Sequence, residues 1–343
     1  MQETKNSRLY VLDLFKLLAS YFVVFIHCQF SGDWGIAVKA VARFAVPFFF
    51  LCSGYFLYGN KPEKILRKAS RIFRLFCSSF LIFFVYQILI NYTRGNVAYV
   101  LTWLRGLANF KGLIKLIFFN VPYVSTHLWF LSALTYVYLI HYWLAKKHLS
   151  DVFIGLSSVI LLILHLIIWQ AVLTLNTTSQ TFIVRNFLFT GYPFVGIGML
   201  IRKHSNKLPK LTPLKAFVLI LLGSMTSVLS RFALGDKSVP GGAIITAVTL
   251  LIYALQHDQR TSPTLGRNAG KYSTFIFVFH PIAIDLVGYL SKAAGKDSAS
   301  VVWINVKPVL VCIITTFFAG IFYFLTGQYK NCKSESLNNF AKH

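Results

Sequence analysis

The run Leu12-Asp13-Leu14-Phe15-Lys16 … Phe25-Ile26-His27 decides the fold. It lies in an apolar stretch, 10–30, that matches the ~20 residues a bilayer core requires. The stretch has no small-residue cleavage site behind it and is too long for a signal-peptide core, so it reads as a retained membrane helix. An α-helix turns about 100° per residue. With His27 as zero, Ser20 and Lys16 fall roughly 20° away and Asp13 roughly 40° away. These polar side chains therefore share one stripe of an otherwise apolar helix. Lipid makes such a stripe costly, so it is expected to face other helices or a wet cavity.

Composition points the same way. Of 343 residues, 56% are hydrophobic and 13% charged, and the mean hydropathy is +0.63. These values belong to membrane proteins. A net charge of +24 would suggest nucleic acid in a soluble chain. Here the basic residues collect in short loops between apolar segments, and no nucleic-acid partner is expected. The five cysteines form no CxxC pair, so neither a zinc site nor a disulfide framework is indicated.

Ten candidate spans follow from the apolar segments: 10–30, 36–58, 73–92, 128–145, 152–174, 183–201, 214–234, 240–256, 272–291 and 301–326. The expected fold is all-α, a polytopic membrane helical bundle with about ten transmembrane helices. It is read as a single membrane domain over 1–343, with a short cytoplasmic tail at 327–343. The stretch 97–123 carries Arg105, Lys111 and Lys115 among Trp103, Ile114 and Phe118. An amphipathic interfacial or re-entrant piece suits it better than a further span. With the N-terminus inside, the inner loops hold twenty Lys and Arg and the outer loops seven, which makes both termini cytoplasmic.

In this topology His27 lies near the outer end of the first helix. Lys16 is eleven residues earlier, about 16 Å toward the cytoplasm. The two can mark a cationic inner station and a proton-accepting outer one; Lys16 can equally be a snorkelling anchor. Arg43, in the second span, lies about 10 Å inside its outer boundary. An arginine there either snorkels outward or needs a partner or a negatively charged substrate. Pro47 frees a backbone carbonyl, and Ser53-Gly54 permits close helix approach. Arg67, Arg71 and Arg74 recur at helical spacing in the densest basic loop. They express positive-inside bias or form a phosphate site. His127 is expected at the outer surface and Trp129 in the aromatic belt. His280 lies near mid-membrane, with Asp285 about 140° around the same helix. His141 and His165 read as packing or hydrogen-bonding residues. The scattered histidines give no metal site, and no phosphate-loop, zinc-protease or nucleophile-elbow motif occurs.

Together these residues resemble the acyltransferase-3 family of bacterial membrane proteins. The family pattern Asp-x-x-Arg-x-x-Ala … His is similar to Asp13-Leu14-Phe15-Lys16-Leu17-Leu18-Ala19 … His27. Its Arg-x-x-Val-Pro-Phe-Phe-x-x-Ser-Gly-Tyr element resembles the segment from Arg43 through Val46-Pro47-Phe48-Phe49 to Ser53-Gly54-Tyr55. Arg71-Ile72-Phe73-Arg74 resembles its arginine pair, and His127-Leu128-Trp129-Phe130-Leu131 its Leu-Trp-Phe-Leu element. Leu265-Gly266 … Tyr272-Ser273 … His280 resembles its late Gly … Ser … His segment. Lys16 replaces the family's arginine, keeping the charge and losing the bidentate fork.

The resemblance implies an integral-membrane O-acyltransferase of the bacterial cytoplasmic membrane. It moves an acetyl or succinyl group from cytoplasmic acyl-CoA to an extracytoplasmic glycan of the cell envelope. Acyl-CoA is then the donor substrate, with no permanently bound cofactor and no metal. The expected roles follow. Arg67, Arg71, Arg74 and Lys16 bind the donor. His27 acts as general base or forms a transient acyl-imidazole, and Arg43 stabilises the oxyanion or positions the acceptor. Asp13, Ser53, His127, Trp129 and His280 are structural or acceptor-side candidates. Partners are the acyl-CoA, the glycan and the bilayer, with envelope-biosynthesis proteins as further candidates. Two other readings stay open: a transporter of a small anionic or zwitterionic solute or a glycan exporter, and a structural subunit of an envelope-synthesis complex.

Overall fold

The computed structural model describes residues 9–174, 182–235, 241–258, 268–295 and 300–340. The chain is 86% helical, and no strand occurs among the described residues. Eight helical segments there are long and apolar enough to cross a membrane. Each of the ten expected spans coincides with helix, but two fall short. The segment at 183–201 is a π turn, Phe187–Gly191, leading into a helix of 12 residues, Tyr192–Lys203. The one at 240–256 is a 16-residue helix, Gly241–Gln256. At 1.5 Å per residue the 12- and 16-residue helices cover about 18 and 24 Å among the described residues, against the ~30 Å hydrocarbon core.

The described helices group into two compact units: Met1–Ala42 with His257–His343, and Arg43–Gln256. The first unit holds α1 (Tyr10–His27), α2 (Gly32–Ala42), α11 (Ala269–Ala293) and α12 (Val301–Phe340). Val24, Cys28, Ile276, Ala283, Val287, Val311 and Cys312 form its buried apolar core. Two residues of the polar stripe of α1 lie against α11. Asp13 lies against Gly270, where an added Cβ would stand 2.7 Å from its carboxylate, and His27 lies against His280. A contact near both starts, and a second farther along both helices, mean that the two helices run in the same direction. The Val11 N–H donates to the Asp258 carboxylate at 3.0 Å and fixes the entry to α1. Ser31 and Asn305 exchange hydrogen bonds of 3.0 and 2.8 Å, tying the α1–α2 link to α12.

The second unit holds α3 (Ala45–Tyr55), α4 (Pro62–Leu107), α5 (Phe110–Phe119), α6 (Trp129–Lys146), α7 (Asp151–Thr174), α8 (Tyr192–Lys203), α9 (Pro213–Leu234) and α10 (Gly241–Gln256). Its tightest crossing joins α3 to α8. A Cβ on Gly54 would meet the Val195 carbonyl oxygen at 1.9 Å, and one on Gly198 would meet that of Leu51 at 2.1 Å. Only glycine allows backbones this close. The 46-residue α4 is two helices joined by a kink at Gly95–Asn96, where Asn96 adopts a left-handed φ of 62°. After the kink the chain runs to Leu107 and then into α5, which buries none of its ten residues and exposes Phe110, Leu113, Ile117 and Phe118. So short and uncovered a helix suits an interfacial position.

The expected span 36–58 is interrupted: α2 ends at Ala42, α3 begins at Ala45, and Arg43 and Phe44 form the turn between them. Pro47 is the cause in the sequence. It has no N–H to return to the Arg43 carbonyl, so the helical ladder cannot continue across that position.

Candidate functional site

α1 ends at His27 because Cys28 takes an extended conformation, φ −121° and ψ 93°, while its N–H still donates to the Val24 carbonyl at 2.7 Å. The chain then turns at Gly32, whose φ of 61° favours glycine. His27 is thereby placed, exposed, at the wall of a cavity of about 570 Å³. Gln29, Ser291, Lys292, Trp303 and Lys307 line the same cavity. The ring of His280 lies behind His27, with centroids 5.1 Å apart and planes inclined by 39°. His280 is fully buried, and its Nδ1 faces the carbonyls of Phe277 at 2.9 Å and Ile276 at 3.2 Å. A carbonyl only accepts, so Nδ1 carries the proton and Nε2 is the basic nitrogen of the neutral ring. α11 thus holds this imidazole in one tautomer beside His27.

At the other end of α1, the Lys16 Nζ lies 3.2 Å from the Asp13 carboxylate. The pair is largely buried, with side chains 21% and 13% exposed. Asp13 also sits at the N-terminus of α11, where a carboxylate meets the positive end of the helix dipole. Ser20, between the two ends, is fully buried and donates to the Leu17 carbonyl at 2.6 Å. Ser273 is buried and donates to the Gly270 carbonyl at 3.0 Å. Leu265-Gly266 lies outside the described residues.

Arg43 opens the second unit half-buried, and the Arg185 guanidinium lies within electrostatic reach of it. Arg185 also stacks over the Trp129 ring at 5.4 Å. Trp129 itself is buried against Phe50, so it is not the lipid-facing anchor expected from its place at a helix end. His127 is likewise buried rather than at the surface. Phe83 packs edge-on to it with ring centroids 4.9 Å apart, and Ser125 hydrogen-bonds its Nδ1 at 2.8 Å. Ser53 donates to the Phe49 carbonyl at 2.8 Å and shares a hydrogen bond with Tyr138, which places it in the helix packing. The Tyr55 hydroxyl accepts from Arg202 at 2.7 Å.

Arg67, Arg71 and Arg74 lie exposed with Lys64 along one face of α4, while Ile65 and Ala69 are buried on the opposite side. Lys68 turns away from that stripe and donates to the Phe56 carbonyl. Among the described residues, no group of His, Cys, Asp or Glu has the arrangement of a metal site.

A family model described as an acyltransferase domain matches residues 9–327. The chain belongs to the acyltransferase-3 family. Acyl transfer is therefore its class of activity, and a multi-pass membrane protein its class of architecture. The match runs through both units. No curated protein and no solved structure matches the chain. In this acyltransferase-3 member the Asp-x-x-Lys element is an ion pair, and its helix-1 histidine is one of two adjacent imidazoles. Three residues carry no motif: Arg185, beside Arg43 in the second unit, and Ser291 and Lys307, beside His27 in the first. Lys307 had a usable signal, a lysine inside the apolar span 301–326, which is costly unless it faces protein or water. Arg185, two residues inside the apolar span 183–201, had a weaker form of the same signal, and Ser291 had none.

Proposed function

We propose that the protein is a bacterial cytoplasmic-membrane O-acyltransferase that moves an acetyl or succinyl group from cytoplasmic acyl-CoA to a hydroxyl of an extracytoplasmic envelope glycan. The observation that carries this is the His27–His280 pair at a cavity wall in a chain of the acyltransferase-3 family. An imidazole titrates near neutrality, which suits proton transfer from an alcohol. His27 takes the acceptor hydroxyl proton as the oxygen attacks the thioester carbonyl. The tetrahedral intermediate collapses, the C–S bond breaks, the C–O ester bond remains, and the proton passes to the departing CoA thiolate. His280 holds and backs the His27 ring. In a variant of this route, His27 is acylated first and the alcohol then attacks the acyl-imidazole.

The donor is assigned to Arg67, Arg71 and Arg74, whose forked donors match phosphate oxygens and whose stripe is open to solvent. Lys16 is a weaker candidate than the sequence suggests, since Asp13 already offsets its charge. Arg43 keeps the role of meeting negative charge on the substrate. Its support is Arg185, since two neighbouring guanidiniums are stabilised by an anion. The excess of basic residues in one set of loops supports a cytoplasmic position for both termini and for the stripe.

The test is base-labile acyl release from cell envelopes of a deletion strain, wild type and His27→Ala at matched protein levels. Ester is expected with wild type alone, His27→Ala falling at least about a hundredfold, as loss of a general base does. Equal ester in all three strains would remove this activity.

A further inference from the structure

We infer that the cavity beside His27 recognises its occupant by negative charge, so that the acceptor is an anionic glycan carrying a carboxylate or phosphate close to the reacting hydroxyl. This rests on the proposed acyl transfer for the word acceptor, and on the cavity alone for the charge. Every residue of the site lies within one compact unit.

Lys307 is the first observation. It lies six residues into the apolar helix α12, about 9 Å from its start. Burying an ammonium there is costly without a compensating group. Its side chain is half-buried and its Nζ packs beside Gly288 of α11, where an added Cβ would stand 3.4 Å away. Lys292, on α11, lines the same cavity, and no acidic side chain among the described residues does. Two cations and the His27 imidazole thus share one enclosure without a carboxylate in its lining.

Ser291 is the second, independent observation. It is 5% exposed, it lines the cavity, and its Oγ has no hydrogen-bond partner among the described residues. A buried hydroxyl left unsatisfied costs stability, and a ligand oxygen here would satisfy it. A carboxylate or phosphate accepts from a hydroxyl and from ammonium groups at once, which a neutral sugar does less well. The volume, about 570 Å³, falls within the usual range for small-molecule sites and accommodates a sugar residue. The cavity lies at the His27 end of α1, away from Lys16, so its charge is assigned to the acceptor rather than to the coenzyme phosphates.

The test is calorimetric binding of glucuronate, glucose 6-phosphate and glucose to the full chain in nanodiscs of zwitterionic lipid, without acyl-CoA. Both anionic probes are expected to bind at least about tenfold more tightly than glucose, as a charge-assisted contact does. Lys307→Gln should abolish that preference, Lys307→Arg retain it, and Ser291→Ala weaken it. Lys292→Gln, at an exposed position, provides a second charge removal if Lys307→Gln fails to fold, and should reduce the preference. Equal binding of the three sugars overturns the proposal, as does a preference untouched by these substitutions. A preference abolished by adding phosphatidylglycerol to the nanodisc also overturns it, by assigning the cavity to a lipid headgroup. Anion preference without envelope ester would remove the acyl transfer and keep the site; ester without anion preference would do the reverse.

Discussion

His27 was legible as a candidate for proton transfer because its helix carries a polar stripe that is costly to expose to lipid. Its neighbour was not. His280 and His27 are brought together by the packing of α1 on α11, and no local pattern encodes that contact. In the proposed mechanism His280 orients His27 through their ring contact. His280→Phe, close in size and lacking both nitrogens, is expected to lower kcat about tenfold or more while the KM for acyl-CoA stays put. Steady-state kinetics on purified protein check this, and an equal rise in KM would return His280 to packing alone. Lys16 shows the opposite limit. Its charge was legible, and so was the i, i+3 spacing that lets Asp13 pair with it, but the reading of Lys16 as a donor contact left that pairing out. Lys16→Met leaves a largely buried carboxylate without this partner and should cost on the order of 1 kcal/mol or more. Lys16→Arg keeps the pair and should be close to neutral. Thermal unfolding in detergent, wild type against both variants, distinguishes them.

Helices were easier to read than their crossings. Apolar length placed every expected span on largely helical chain, though 36–58 is divided between two helices, because that signal is local and additive. At 183–201 and 240–256 the described helix is shorter than the expected span, and several of its apolar residues pack against other helices. Buried Phe194, Val195, Ala247 and Leu251 illustrate this. Hydropathy cannot distinguish a residue that is apolar for lipid from one that is apolar for packing. The Arg43–Phe44 turn had a visible cause in Pro47, whereas the kink at Gly95–Asn96 had only a glycine beside an asparagine to announce it. At this scale the α3–α8 crossing offers a sharp test. Gly54→Ala inserts a methyl group where the Val195 carbonyl already lies, and backbone cannot yield as a side chain does. A loss of about 1–3 kcal/mol is expected from such overpacking. Gly241→Ala, with nothing within 4 Å of the added carbon among the described residues and no positive φ, is the control and should be neutral or slightly stabilising. Size-exclusion profiles and melting curves of the two variants decide it, and equal behaviour would mean that α3 and α8 do not cross this closely.

For the whole molecule, the charge distribution makes a claim that the helices alone do not. Acyl-CoA is confined to the cytoplasm, so the proposed activity requires the Lys64–Arg67–Arg71–Arg74 face of α4 to open there and the His27 cavity to open on the other side. The asymmetry of Lys and Arg among the loops supports that polarity. Two positions report on it directly. Lys64 lies exposed on the basic face, and Trp34, 67% exposed at the start of α2, follows the turn after His27. In a background without native cysteines, Trp34→Cys is expected to react with a membrane-impermeant maleimide in intact cells. Lys64→Cys should react only after permeabilisation. In the same orientation, replacing Arg67, Arg71 and Arg74 together by Gln should raise the KM for acyl-CoA at least about tenfold, the cost of losing charge-assisted phosphate contacts, with a smaller change in kcat. The reversed labelling pattern would place the arginine face where no acyl-CoA exists. It would then count as a surface charge feature, and the donor would need another entrance.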